Sequence, residues 1–180
     1  MPAQPDMVEM LLRSPLLADL EASLRQDLAL RFETRPFTKG QTLLSTGADG
    51  RALLEILAGT AEVYLREGAH RYRVAQLEPG AITGEGAFFN GDAPRTADVV
   101  GTSEGIVAVL PWTAYQALAL EGHLGALAIE RAVMTQLGHR LKETNVRLTA
   151  LLDNQKTGTF ENTFKRLFNI PTAAPGVHDG

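Results

Sequence analysis

Hydrophobic positions recur along this chain with two different periods. In the first thirty residues Met7, Met10 and Leu11 share one helical face, and Ser14-Pro15 interrupts the run. Leu17, Leu20, Leu24 and Leu28 then resume a spacing near 3.6 residues. From Phe32 to Leu110 the period shortens to about two. Ala61, Val63 and Leu65 alternate with Glu62, Tyr64 and Arg66, and Tyr72 and Val74 with Arg71 and Arg73. Glycines at 40, 47, 50, 59, 68, 80, 84, 86, 91, 101 and 105 bound these short segments. Ser103-Glu104-Gly105, between two Val-rich runs, predicts a hairpin turn. Many short strands with regular turn signals predict a sandwich, barrel or jelly roll rather than a parallel sheet. After Pro111 the helical period returns. A short helix to about Leu120 is followed by a break at Glu121-Gly122, then by a long helix to about Asp153.

The long helix carries Met134, Leu137, Leu141, Thr144, Leu148 and Leu151, whose spacings alternate three and four. Such an a/d seam fits a two-stranded homodimer through residues 134–151, and it also fits a helix packed on its own domain. The helix overshoots a domain of this size, which favours the dimer. Leu127, Ile129 and Val133 are expected to serve the domain itself. The chain divides accordingly into a domain over 1–153, including the long helix, and a tail over 154–180. In the tail Phe160, Phe164, Leu167 and Phe168 fit one face of a short amphipathic helix, and the final TAAPGVHDG has the composition of a disordered end.

Composition narrows the function classes. An apolar share of 44% over 180 residues supports one continuous core. A formal charge of −4 leaves no electrostatic footprint for nucleic acid or an anionic membrane, so DNA and membrane are not expected partners. Without cysteine there is no disulfide, thiol catalysis or thiolate metal site. No secretory signal opens the sequence, and no apolar run approaches the roughly 18 residues of a membrane span, so a cytoplasmic location is expected. His70, His123, His139 and His178 lack metal-like spacing. No triad, P-loop or dinucleotide fingerprint stands out. An enzyme is not expected, nor a resident metal or cofactor.

The segment ITGEGAFFNGDAPRTADV, Ile82 to Val99, carries the chemistry. Gly84 and Gly86 bracket Glu85 and free the backbone for a close approach. Glu85 to Asn90 predicts one short helical turn whose exposed N–H groups attract an anion. Arg95 follows an Ala-Pro turn, opens a strand and aims a rigid cationic fork at the same place. Glycine amides, a helix N-terminus and one arginine suit a singly charged phosphate. The carboxylate of Glu85 makes sense beside them if the ligand also presents a hydroxyl, such as a ribose 2′-OH.

These residues resemble the phosphate-binding cassette of the cyclic-nucleotide-binding domain family: hydrophobic-Gly-Glu-hydrophobic-Ala, then Pro-Arg-Ser/Thr/Ala-Ala before Val. Gly84, Glu85, Ala87, Pro94, Arg95, Thr96, Ala97 and Val99 stand at those positions. Lys39-Gly40, Gly47 and EILAGTAEVYL resemble the family's early strands, LLRSPLLADL its N-terminal helical element, and Pro111-Trp112 onward its helices behind the roll. The resemblance covers about 10–153. Thr83 and Gly86 depart from it, since the family has an aromatic or aliphatic residue before Gly-Glu and Leu, Ile or Met after.

The resemblance implies a mainly β fold with flanking helices: a double-stranded β-helix, or jelly roll, followed by a long C-terminal dimerisation helix. It implies that Arg95 binds the cyclic phosphate with backbone N–H groups around Gly84, Gly86 and Ala87, and that Glu85 holds the 2′-OH. Thr96 would reach the phosphate or the base. RLKETNVRLTALLD resembles the base-contacting stretch of members like the catabolite activator protein, which places Thr144 and Asn145 against adenine. The implied function is a regulatory module that binds cAMP in preference to cGMP and signals to an unknown effector by repositioning its C-terminal helix. Two alternatives stand beside it. One is a ligand-free roll kept for protein interaction, consistent with Thr83 and Gly86. The other is a transcription regulator of the catabolite-activator type, for which residues 154–180 are too few to build the winged helix-turn-helix and not basic.

Overall fold

The computed structural model describes residues 7–18, 20–91 and 94–154, and the chain falls into two compact units, 1–136 and 137–180. In the first unit, helices α1 (Met7–Leu12) and α2 (Ala22–Ala29) precede the strands β1 (Glu33–Phe37), β2 (Thr42–Leu44), β3 (Ala52–Ala58), β4 (Ala61–Glu67), β5 (His70–Leu77) and β6 (Ile82–Thr83). Helix α3 (Glu85–Phe89) comes next, then β7 (Ala97–Gly101), β8 (Gly105–Pro111), α4 (Trp112–Leu120) and the long α5 (Leu124–Asn154), which enters the second unit.

The strands form two four-stranded antiparallel sheets, ordered β1-β8-β3-β6 and β2-β7-β4-β5. This is the jelly roll with flanking helices that the strand pattern and the family resemblance predict. One core cluster fills the roll, with Phe37, Leu54, Ile56, Leu77, Val99, Val107 and Val109 among its members. A second lies on the helix side, where Leu53, Ala108 and Leu110 meet Leu11, Leu17 and Leu28 of the N-terminal segment, Tyr115 and Leu118 of α4, and Ile129 and Val133 of α5. Alternate residues of β3 and β8 thus enter alternate clusters. Both faces of these strands are buried, which is why IVAVL reads as an unbroken apolar run and ALLEILA as one broken only by Glu55. In the second sheet β4 and β5 alternate in residue type but not in burial: Leu65, Tyr72 and Val74 are exposed like the arginines between them.

Two expectations are corrected. Ser103-Glu104-Gly105 does not close a hairpin: β7 pairs with β2 and β4, whereas β8 pairs with β1 and β3. The turn carries the chain from one sheet to the other. It is tied to the β3–β4 corner, where the Thr102 amide donates to the Thr60 carbonyl (2.8 Å) and the Thr60 amide donates to Ser103 Oγ (2.9 Å). A Cβ on Gly105 would overlap the Ala58 carbonyl and the Phe37 ring, so only glycine passes here. Leu127 does not serve the domain either. Ala126, Ile129 and Val133 form the buried stripe, and Leu127, one residue around the helix, is 61% exposed.

In the second unit α5 leaves Leu137, Leu141, Thr144, Asn145 and Val146 exposed and Leu148 half-buried. The expectations for residues 155–180, the phenylalanine stripe included, lie outside the described residues. Among the described residues no helix is long and apolar enough to cross a membrane.

Candidate functional site

Strand β6 delivers the chain to a left-handed turn at Gly84 (φ +87°), which is the N-cap of α3. A Cβ at Gly84 would lie 2.6 Å from the Ala52 carbonyl oxygen and 3.4 Å from Arg95 Nη1. Backbone conformation and space therefore both demand glycine. Gly84→Ala is expected to cost about 2 kcal/mol of stability, readable as a lower urea midpoint at unchanged slope.

The first helical bond of α3 runs from the Phe88 amide to the Gly84 carbonyl (3.1 Å), so the Gly86 and Ala87 amides have no acceptor within the helix. Glu85 and Ala87 are half-buried, and Gly86 is exposed. A Cβ on Gly86 would meet nothing within 4 Å, so this departure from the family pattern removes a side chain that the fold could accommodate. Thr83, the other departure, is buried and pairs with Leu54 of β3.

Arg95 lies in the extended segment just ahead of β7; the strand opens at Ala97 rather than at Arg95 itself. The Gly47 amide donates to the Arg95 carbonyl (2.8 Å), which fixes the backbone, and the guanidinium rests over Gly84. Its Nη1 is buried and has no hydrogen-bond partner among the described residues. Burial pulls the Arg95 guanidinium below its ordinary pKa. A partly desolvated cation thus faces a left-handed glycine and the first turn of α3, the chemistry that an anion would satisfy. Thr96 is exposed beside it. Gly84, Glu85, Gly86, Ala87, Arg95 and Thr96 thus occupy one turn and the segment leading into β7, while Thr144 and Asn145 belong to the second unit.

Two supporting features were not visible in the sequence. The nearly buried Asp98 of β7 accepts from the Thr46 amide (2.8 Å) and from Arg66 Nε (2.8 Å), which ties β2 and β4 to the strand behind Arg95. The Thr46 amide, then Arg66, hold its carboxyl below the usual carboxylate range. The second feature is an apolar shelf. Leu65 pairs with Tyr72 on one side and Ala97 on the other, on the face of the sheet that Val63 and Val99 share. Leu65 and Tyr72 are 42% and 50% exposed, so the roll's inner face continues past its core as open apolar surface next to Arg95's strand. Alternation alone could have shown this face, but not that it is left uncovered.

An arginine over a left-handed glycine turn, with exposed apolar surface on the neighbouring sheet, is thus set in a jelly roll. Residues 34–121 match the model of the cyclic nucleotide-binding domain family, and this part of the chain belongs to that family. A cAMP-dependent protein kinase regulatory subunit from Colletotrichum orbiculare is 36% identical over 104 residues, covering 58% of this chain and 26% of that protein. The chain therefore matches about a quarter of the length of this curated relative, 26%. A cyclic nucleotide-binding domain from Methylobacillus flagellatus shares the fold at a TM-score of 0.70 and 23% identity, over 80% of this chain and 81% of that one. The catabolite activator protein of Thermus thermophilus does so at 0.62 and 23%, over 77% and 63%.

Proposed function

We propose that this chain is a cyclic-nucleotide sensor, a binding module rather than an enzyme, that takes a purine 3′,5′-cyclic monophosphate, cAMP in preference to cGMP. The observation that carries it is the buried Nη1 of Arg95 over Gly84, which has no hydrogen-bond partner among the described residues. The cyclic phosphate would neutralise that cation and accept from the Gly86 and Ala87 amides. Glu85 would accept from the ribose 2′-OH, and the base would lie on the Leu65–Tyr72 shelf. Thr144 and Asn145 of α5 are the residues that the family resemblance assigns to adenine, and the curated relative named above is called cAMP-dependent. No cofactor is required.

Signalling runs through α5, which moves when the site fills and passes the change to an effector protein in the cytoplasm. The exposed residues Met134 (73%), Leu137 (42%) and Leu141 (63%) support a homodimer through 134–151. Light scattering should give twice the chain mass for wild type and the single mass for Leu137→Asp/Leu141→Asp.

Isothermal titration with cAMP and with cGMP tests the ligand. Micromolar binding, about −8 kcal/mol, is expected for cAMP and weaker binding for cGMP. No heat with either at millimolar concentration would refute the sensor and favour the ligand-free roll.

A further inference from the structure

Helix α3 has only five residues, too few to hold an orientation by itself. Arg95 rests on its N-terminal end. At the other end stands Arg51, the residue before β3, which no family motif above includes. Its Nε (3.0 Å) and Nη2 (2.6 Å) both donate to the carbonyl of Phe88, in the last turn of α3 where helical acceptors are unspent. The guanidinium carbon lies 3.4 Å from the centre of the Trp112 ring, a stacked cation–π contact. The Trp112 amide donates to the Arg51 carbonyl (2.9 Å), so α4 begins on the same residue. A Cβ on Gly91 would come within 3.1 Å of Arg51 Nη1, which places the exit of α3 against the guanidinium as well.

Below this clamp the Phe88 ring is fully buried, edge-on to Trp112 and to Tyr115, both at 5.2 Å between ring centres. Tyr115 in turn donates its hydroxyl to Glu130 of α5. A contiguous set of contacts therefore leads from the α3 turn through Arg51 and Trp112 to α4 and the first turns of α5.

We propose that Arg51 is a positioning residue for the phosphate site. It touches no ligand and acts through the Phe88 carbonyl, setting the tilt of α3 and with it the direction of the Gly86 and Ala87 amides. The same stack makes Trp112, the chain's single tryptophan, report on whether the site is filled. The inference rests on the nucleotide-binding reading. Lysine cannot replace arginine here, because one ammonium cannot give two parallel donors and a flat stacking face at once.

The test compares wild type, Arg51→Lys, Arg51→Gln and Trp112→Phe, each well below its own melting temperature. Affinity for cAMP is read by calorimetry and Trp112 emission is followed through the same titration. Wild type should bind with a change in emission. Both Arg51 variants should bind about tenfold more weakly, the worth of roughly one charge-assisted hydrogen bond, and lose the emission change. Trp112→Phe, which keeps an aromatic face, should stay within about threefold of wild type. Arg51 variants that melt earlier yet keep the wild-type affinity and emission response would overturn the proposal and leave Arg51 a packing residue. If wild type itself binds neither nucleotide, the nucleotide reading falls and takes this inference with it.

Discussion

Arg95→Met should abolish nucleotide binding and leave the empty protein as stable as wild type, or more so. The two halves of this result have one cause. Arg95 Nη1 is buried without a hydrogen-bond partner among the described residues, and burial pulls the guanidinium below its ordinary pKa. A buried donor left unsatisfied costs about 1–3 kcal/mol, which methionine, of similar reach and without polar atoms, does not incur. With nucleotide present the balance reverses, because the guanidinium is then the group that meets the phosphate charge. Its removal should weaken binding by about a hundredfold or more. In a thermal melt, ligand at 100 times the wild-type dissociation constant should stabilise wild type by about 2.7 kcal/mol and the variant by about 0.4 kcal/mol or less. Wild-type affinity in the variant would sink the assignment. A large loss of stability in the empty variant would instead make Arg95 a structural cation.

Glu55→Gln should stabilise the protein above neutral pH and flatten its pH dependence. On β3 the residues Leu53, Glu55 and Leu57 face the helix side, and Leu53 and Leu57 join the core cluster there. Glu55 is 1% exposed among them, and neither carboxylate oxygen has a well-formed hydrogen bond among the described residues. Burial raises its pKa to about 7, with Ser14 and the Leu16 backbone pulling the other way. A carboxyl whose folded pKa exceeds its unfolded value binds its proton more tightly when folded. Its contribution is therefore fully present below about pH 4.5 and is lost as pH rises through about 7. Above that, the charged form costs about 3 kcal/mol relative to the protonated one.

Asp98 has the opposite sign. Its lowered pKa stabilises the fold above the ordinary aspartate range, and that stability is lost as the solution is acidified through the folded value. Wild type should therefore be most stable on the mildly acidic side of neutrality. Unfolding free energies from urea titrations at about pH 5.5 and 8 should differ by about 2 kcal/mol in wild type, with a matching shift in midpoint, and far less in Glu55→Gln. Equal midpoints in wild type would show that the carboxyl finds a partner or water that lowers its pKa.

Much of this molecule was legible before folding was considered. Period-two alternation and closely spaced glycines marked the roll, and the return to a helical period after Pro111 marked α4 and α5. The segment from Gly84 to Val99 marked by residue type and order a left-handed glycine turn, a short helix and an arginine close together in the fold. Those features are local: each depends on a few neighbouring residues and on backbone preferences that act within one turn or one strand. Partner choice is not local. Val-rich runs on either side of Ser103-Glu104-Gly105 look like a hairpin, but the burial of both faces of β8 places it between β1 and β3, and the turn crosses between sheets. Leu127 fits the apolar period of α5 as well as Ile129 does, and only the position of the core decides which of them it buries. Glu55 reads as one polar residue in an apolar strand, and its proton affinity follows from the helices laid over it. Arg51 looks like a loop cation until β3, α3 and α4 meet around it. The sequence by itself determined which elements form and which residues crowd the turn at Gly84; the tertiary structure decided which charges are desolvated and which helix ends are held, because desolvation and long-range contact exist only once distant segments pack together.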